Sequence, residues 1–226
     1  MTTITDLKLI ERVLRQMRLR ASDGYFWTHG AKLRAGNLLI SPDRWAEIDP
    51  HDLPTVQSPG DTAYCIKGRW FARVRASRCK SLTGILRHIL AGSACDNALI
   101  LPSNDALKGI TLEGWMRKSE RDRLCGNRRC QRLFDRLGIR PGSACGIECH
   151  LPKDAASVIE LARWCWASHG RNAYVLLPAL RTKIVICHEH DLHVCSLDHA
   201  FIQSVIEAVR AHPSLRLAPF ELQQCC

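Results

Sequence analysis

An arginine-rich stretch in the middle of the chain carries the clearest chemical signal. The segment from Trp115 to Arg140 contains nine basic residues, eight of them Arg, and only three acidic residues. The planar guanidinium group donates two parallel hydrogen bonds to phosphate or carboxylate oxygens, which suits Arg to acidic partners. The stretch is therefore predicted to bind such a partner, through Arg117, Lys118, Arg121, Arg128, Arg129, Arg132 and Arg136.

Four cysteines on and just after this stretch have the chemistry of a metal site. They form two close pairs, Cys125 with Cys130 and Cys145 with Cys149. Four thiolates suit a structural zinc ion, which takes tetrahedral sulfur ligands at about 2.3 Å. The spacings are looser than those of paired C-x2-C motifs, so isolated packing cysteines are the alternative interpretation.

A second cluster of metal-binding or acid–base residues lies near the C-terminus. It comprises Cys187, His188, His190, His193 and Cys195. Two imidazoles on one face of a strand could bind a metal, and one could act as a general acid or base near neutral pH. The alternative is a polar, solvent-exposed turn. His188 and His190 are the catalytic candidates of this cluster.

The spacing of apolar residues predicts that the basic stretch is a helical hairpin over 111–141. Gly126 and Asn127 break it, and a second helix follows from Arg128 to Leu137. On that helix four residues form an apolar anchor face and the arginines fall largely on the other side. The anchor residues are Cys130, Leu133, Phe134 and Leu137.

The flanking sequence predicts an α+β protein with helices and an antiparallel sheet. Residues 1–110 form an N-terminal half, in which Lys67 and Gly68 are the turn of a hairpin and the following strand carries Arg73 and Arg75 on one face. Residues 142–222 have the order strand, helix, two or three strands, helix, strand. That order predicts a ferredoxin-like sandwich.

Composition narrows the class of partner. The net charge of +10 and a pI near 9.2 favour nucleic acid or an acidic protein over a neutral partner. No apolar run is long enough for a membrane span, and no signal peptide is evident, so we expect a cytoplasmic protein without a membrane partner. Most of the 12 cysteines are then expected to be reduced thiols.

Nucleic-acid binding, with RNA or single strands favoured, is the leading functional hypothesis. An adaptor, inhibitor or effector that binds an acidic protein through the same arginines is an alternative from another class. Two strand–helix–strand halves joined by a basic helical finger also resemble, in architecture alone, the plan of Cas6-like RNA-processing endonucleases. That resemblance implies metal-independent RNA cleavage, with His188 and His190 as the first residues to test. No nucleotide-binding glycine motif is present.

Overall fold

The structure is a computed structural model that describes residues 1–4, 7–17, 64–66, 69–102, 132–133, 135–137, 146–166, 173–187 and 190–218. These residues form helices and an antiparallel sheet, as the sequence predicts. The strands are β1 (Thr2–Ile4), β2 (Tyr64–Ile66), β3 (Arg69–Ala76), β4 (Asn97–Pro102), β5 (Gly146–His150), β6 (Ala173–Leu177), β7 (Thr182–Cys187), β8 (Asp191–Ser196) and β9 (Leu215–Leu217). The helices are α1 (Leu7–Gln16), α2 (Cys79–Gly92), α3 (Leu151–Trp166) and α4 (His199–Arg210), with a 3-10 turn at Pro178–Leu180.

The described strands form a single sheet in the order β1-β5-β4-β6-β7-β8-β3-β2, with β9 pairing with β3. Each pair of neighbours is antiparallel. The strands of the predicted halves 1–110 and 142–222 are interleaved in this sheet, because β4 lies between β5 and β6, and β3 lies between β8 and β9. The two halves therefore share one sheet and one core.

The C-terminal part has the predicted order of elements but a different context. In β5-α3-β6 and in β8-α4-β9, a helix joins two strands that run in the same direction with one antiparallel strand between them. That intervening strand comes from the N-terminal part of the chain in both units. A ferredoxin-like sandwich made by residues 142–222 alone is thus not confirmed. The missing information is long-range strand pairing, which local sequence patterns do not encode.

Helices α2, α3 and α4 cover one face of the sheet. Their apolar residues pack on alternate residues of the strands, such as Val74, Ile100, Ile184 and Val194, which are at most 1% exposed. Side chains alternate between the two faces of the sheet along each strand. The strand residues next to these four therefore point away from the helices. The main hydrophobic core is therefore the layer between the sheet and the three helices.

Helix α1 covers part of the opposite face. Its Ile10, Leu14 and Met17 recur at helical spacing and pack against β4, β6 and β7. The strand residues in this second core are Leu99, Leu101, Tyr174, Leu176 and Val185. The central strands β6, β7 and β8 are buried at each of their residues.

Local signals place several elements correctly. Ile66 pairs with Arg69, as expected for a hairpin with a two-residue loop at Lys67 and Gly68. Asp198 caps α4 by accepting a hydrogen bond from Phe201 N at 3.1 Å. Helix α3 starts at Leu151, and Asp154 lies in its first turn, where it accepts a hydrogen bond from His150 N at 3.0 Å.

No helix among the described residues is long and apolar enough to cross a membrane.

Candidate functional site

The described end of the predicted basic hairpin is a helical turn with two distinct faces. Leu137 N donates to Leu133 O at 3.0 Å, which is a helical hydrogen bond. Leu133 is buried, while Arg132 and Arg136 are exposed. At these positions the leucines anchor the turn and the arginines face the solvent, as the sequence predicts.

This basic turn is fixed to the sheet at its edge. Thr3 Oγ1 on β1 donates to Leu137 O at 2.6 Å, and the Leu137 side chain packs against the main core. The remaining residues assigned to partner contact, Arg117, Lys118, Arg121, Arg128 and Arg129, lie outside the described residues, as does the predicted break at Gly126 and Asn127. The hairpin as a whole stays a prediction.

A cluster of charged side chains lies on the face of the sheet opposite the three helices. Arg73 donates from Nε to Asp191 Oδ2 at 2.6 Å, and its Nη2 lies 2.6 Å from the same oxygen. Arg75 donates from Nε to Asp191 Oδ1 at 2.8 Å and from Nη2 to Oδ2 at 2.9 Å. One carboxylate thus holds two guanidinium groups.

Strand register produces this cluster. Strands β3 and β8 pair so that Arg73 is opposite His193 and Arg75 is opposite Asp191. Lys183 on β7 is opposite Cys195 on β8 and belongs to the same face. Side chains directly across an antiparallel pair are close enough to interact, so the alternation of each strand gathers the charges on one face.

Asp191 is fully buried, and its surroundings keep it ionised. Burial alone would raise the pKa of the Asp191 carboxyl, because it disfavours the charged form. The imidazole of His193, 3.9 Å away, and the hydrogen bonds from Arg75 and Arg73 outweigh burial, and the pKa of Asp191 falls well below its usual range. The cluster is therefore a network of ion pairs around a buried, ionised Asp191.

The two arginines differ in solvent exposure but share Asp191 as their partner. The Arg73 side chain is 4% exposed and that of Arg75 is 34% exposed. Both use guanidinium N–H groups on Asp191. The cationic strand face that the sequence predicts thus exists, but its charges serve the fold through Asp191 rather than an open binding surface.

His190, one of the two catalytic candidates, has a structural hydrogen bond. Its Nε2 lies 2.9 Å from Trp166 O, and since a carbonyl only accepts, Nε2 is the donor. The residue closes the β7–β8 turn with a positive φ of 65°. Trp166 Nε1 in turn donates to Asp191 O at 3.4 Å. His188 lies outside the described residues, and cleavage by either residue stays untested.

Five cysteines, Cys95, Cys149, Cys165, Cys187 and Cys195, are buried free thiols. Burial, and then the charge of Asp154, raises the pKa of Cys149 to about 12, so its thiolate form is strongly disfavoured. Cys187 and Cys195 are also buried and face the side of the sheet that carries Asp191. Within the described part of the chain no group of three or more His, Cys, Asp or Glu residues could hold a metal.

The zinc prediction depends mostly on residues beyond this part. Cys125, Cys130 and Cys145 lie outside the described residues, and Cys149 sits in the main core. A cysteine binds zinc as its thiolate, and Cys149 lies among the apolar residues of the main core. A structural zinc site at these four cysteines stays a prediction.

Sequence reasoning missed Asp191 as the partner of Arg73 and Arg75. These residues are more than 100 positions apart, and only the β3–β8 pairing brings them together. The alternation of Arg73 and Arg75 signalled a charged face but not the residue that neutralises it.

A comparison of the chain with protein-family models, with curated proteins and with solved structures finds no match.

Proposed function

We propose that the protein binds nucleic acid, with single strands or RNA favoured, through the arginine face of the 128–136 segment. The observation that carries the proposal is the orientation of the described turn. Arg132 and Arg136 are exposed while Leu133 is buried, and Thr3 fixes the end of the turn to β1. Side chains held in this way can contact phosphates without first ordering the backbone.

The chemistry of these two arginines differs from that of the sheet cluster. Arg73 already donates a hydrogen bond to Asp191 and is almost fully buried, so it is poorly placed to bind a phosphate. Arg132 and Arg136 are one helical turn apart and can meet neighbouring phosphates of a strand. Binding would release counterions and so depend strongly on salt.

The preference for single strands does not come from the sheet. An open sheet could offer a stacking surface, but β6, β7 and β8 are buried at each of their residues. Single-stranded nucleic acids remain the favoured ligand because their flexible phosphates can adapt to a short arginine face and their bases stay free to stack elsewhere.

The test compares two variants with the same loss of charge. Arg132→Gln with Arg136→Gln removes the proposed contact, and Lys80→Gln with Arg87→Gln removes two exposed positive charges from α2. Fluorescence anisotropy with labelled single-stranded RNA, single-stranded DNA and duplex DNA at low salt measures each affinity. We expect the first variant to lose roughly tenfold or more for single strands and the second to change little.

The outcomes separate the functional classes. Equal losses in the two variants would mean that only net charge matters and would contradict a defined arginine face. No binding of any nucleic acid at low salt would favour the acidic protein partner, for which pull-down with and without the first variant is the next step. Adding Arg128→Gln and Arg129→Gln should remove the remaining affinity without lowering the thermal unfolding temperature.

A further inference from the structure

An open groove of about 540 Å³ lies at one end of the sheet, away from the basic turn. It runs between the 3-10 turn before β7 and the start of α4, and it is lined by Ala179, Leu180, Arg181, Leu197, Asp198, His199 and Ala200. This volume lies in the range of small-molecule sites. Neither the charge cluster nor the basic turn contributes to its lining.

The groove borders an aromatic stack. The rings of Trp70 and His199 have centroids 3.9 Å apart and planes inclined by 28°. Trp70 is half-buried and packs against the main core, while His199 is exposed. The amide of Gln203 donates to His199 Nε2 at 3.0 Å, which fixes the ring on a second side. The imidazole is thus an exposed aromatic ring that is stacked on Trp70 and hydrogen-bonded to Gln203.

A cation stands in the same groove. Arg181 is exposed in the left-handed region, with φ of 46°, and its backbone N–H closes the turn onto Pro178 O at 3.1 Å. The backbone of the turn is therefore fixed, and the guanidinium group reaches solvent within the lining of the groove. Asp198 is occupied in part by capping α4 through Phe201 N.

We propose that this groove binds one nucleotide unit, with the base stacked at the Trp70–His199 pair and the phosphate held by Arg181. Bases stack on aromatic side chains whatever their sequence, and a guanidinium group binds phosphate oxygens with two parallel hydrogen bonds. The unit can come from a free mononucleotide or from a single strand, since both present the same base and phosphate. The site is independent of the arginine face at 128–136.

Two variants remove the two halves of the site. His199→Ala removes the exposed ring, and Arg181→Gly removes the cation while keeping a residue that tolerates a positive φ. His88→Ala on α2 is the matched control for the ring, and Arg78→Gly is the control for the cation, because glycine is tolerated at the helix cap that Arg78 occupies. Thermal unfolding checks that each variant folds.

Isothermal titration of the full chain with 5′-AMP, and with a short single-stranded oligonucleotide, measures binding. We expect saturable binding that His199→Ala and Arg181→Gly each weaken about tenfold or more, while the controls bind as the unchanged protein does. Saturation by 5′-AMP identifies a free nucleotide as a sufficient source. Binding of the oligonucleotide alone, with the same sensitivity to His199→Ala, identifies a strand as the source.

Two results would overturn the groove proposal. One is the absence of saturable binding by either ligand, and the other is unchanged affinity in folded His199→Ala. The variant with Arg132→Gln and Arg136→Gln separates this site from the arginine face, because it should bind 5′-AMP normally. If that variant loses single strands, while 5′-AMP fails to bind the unchanged protein and oligonucleotide binding is unaffected by His199→Ala, the arginine face stands and the groove proposal fails.

Discussion

The two faces of the sheet are buried by different means. Under α2, α3 and α4 the strand residues are almost all apolar, and the free energy of burial comes from removing hydrocarbon from water. On the other face, α1 covers an apolar part near β4 and β6, and beyond it lie Arg73, Lys183, Asp191 and His193. Buried charges are tolerated only when they have partners. The stability of this part therefore depends on the geometry of its ion pairs rather than on the apolar area that it buries.

The difference has a consequence for how each face fails. An apolar face loses stability in proportion to the volume that a substitution removes. A buried ion network fails abruptly when one member is removed, because the remaining charges keep their desolvation cost without the compensating contact. Single substitutions on each face distinguish these two kinds of stability loss.

The largest effect is expected from Asp191→Asn. The substitution leaves Arg73 and Arg75 without the carboxylate that holds them, and we expect a loss of about 3–5 kcal/mol in the free energy of unfolding. Chemical denaturation at neutral pH measures it. Glu207→Gln removes an equal charge from the exposed face of α4 and should change the stability by less than about 0.5 kcal/mol. A similar loss of stability in both variants would contradict a stabilising role of the Asp191 ion pairs.

Acid should weaken the charged face selectively. The lowered pKa of Asp191 means that its ionised form stabilises the fold above the unfolded pKa of about 3.9, and that this contribution is lost as the pH falls through the lower folded pKa. The unchanged protein should therefore lose more stability below about pH 4 than Asp191→Asn does. Asp154, whose pKa is also lowered, is present in both proteins and cancels in the difference. Parallel pH profiles would show that Asp191 is not the group responsible.

The part of the second face under α1 should behave as an apolar core. Gly146 lies where a side chain would be crowded, because an added Cβ would be 2.6 Å from Leu99 Cδ1 and 3.2 Å from Leu101 Cδ2. Gly146→Ala should cost about 1–3 kcal/mol through overpacking. Gly84→Ala, in open space on α2, should instead stabilise the protein by up to about 1 kcal/mol. Equal effects of the two substitutions in denaturation would refute close packing around Gly146.

The smallest effect is expected on the face under the three helices. Ile186→Val removes one methylene group from a fully buried position and should cost about 0.5–1.5 kcal/mol. Because no charge is involved, the loss should be the same at neutral and acidic pH, in contrast to Asp191→Asn. A loss that grows in acid would indicate coupling between the two faces.

Local signals in the sequence determined most of the elements. The periodicity of α1, the two-residue turn between β2 and β3 and the cap of α4 at Asp198 each depend on residues close in the chain, and the turn was predicted from Lys67 and Gly68. The pairing of β3 with β8, and the insertion of β4 between β5 and β6, join distant segments. Those pairings were not predicted, because the energy that selects them comes from the assembled core.

The candidate sites likewise combine features that local sequence predicts with features that depend on tertiary contacts. The amphipathic spacing of Leu133, Arg136 and Leu137 predicted a buried side and an exposed side, which the structure confirms at these positions. The partners of Arg73 and the stack of Trp70 on His199 depend on tertiary contacts between segments more than 100 residues apart. A single sequence indicates such residue types but not their neighbours.

The most direct test of the proposed function is the salt dependence of single-strand binding in the variant with Arg132→Gln and Arg136→Gln. Each lost phosphate contact should reduce the slope of log affinity against log salt concentration by about 0.7 for a single strand. We predict a slope shallower by about 1.4 than that of the unchanged protein, and no change in the variant with Lys80→Gln and Arg87→Gln. An unchanged slope in the first variant would contradict phosphate binding by this face.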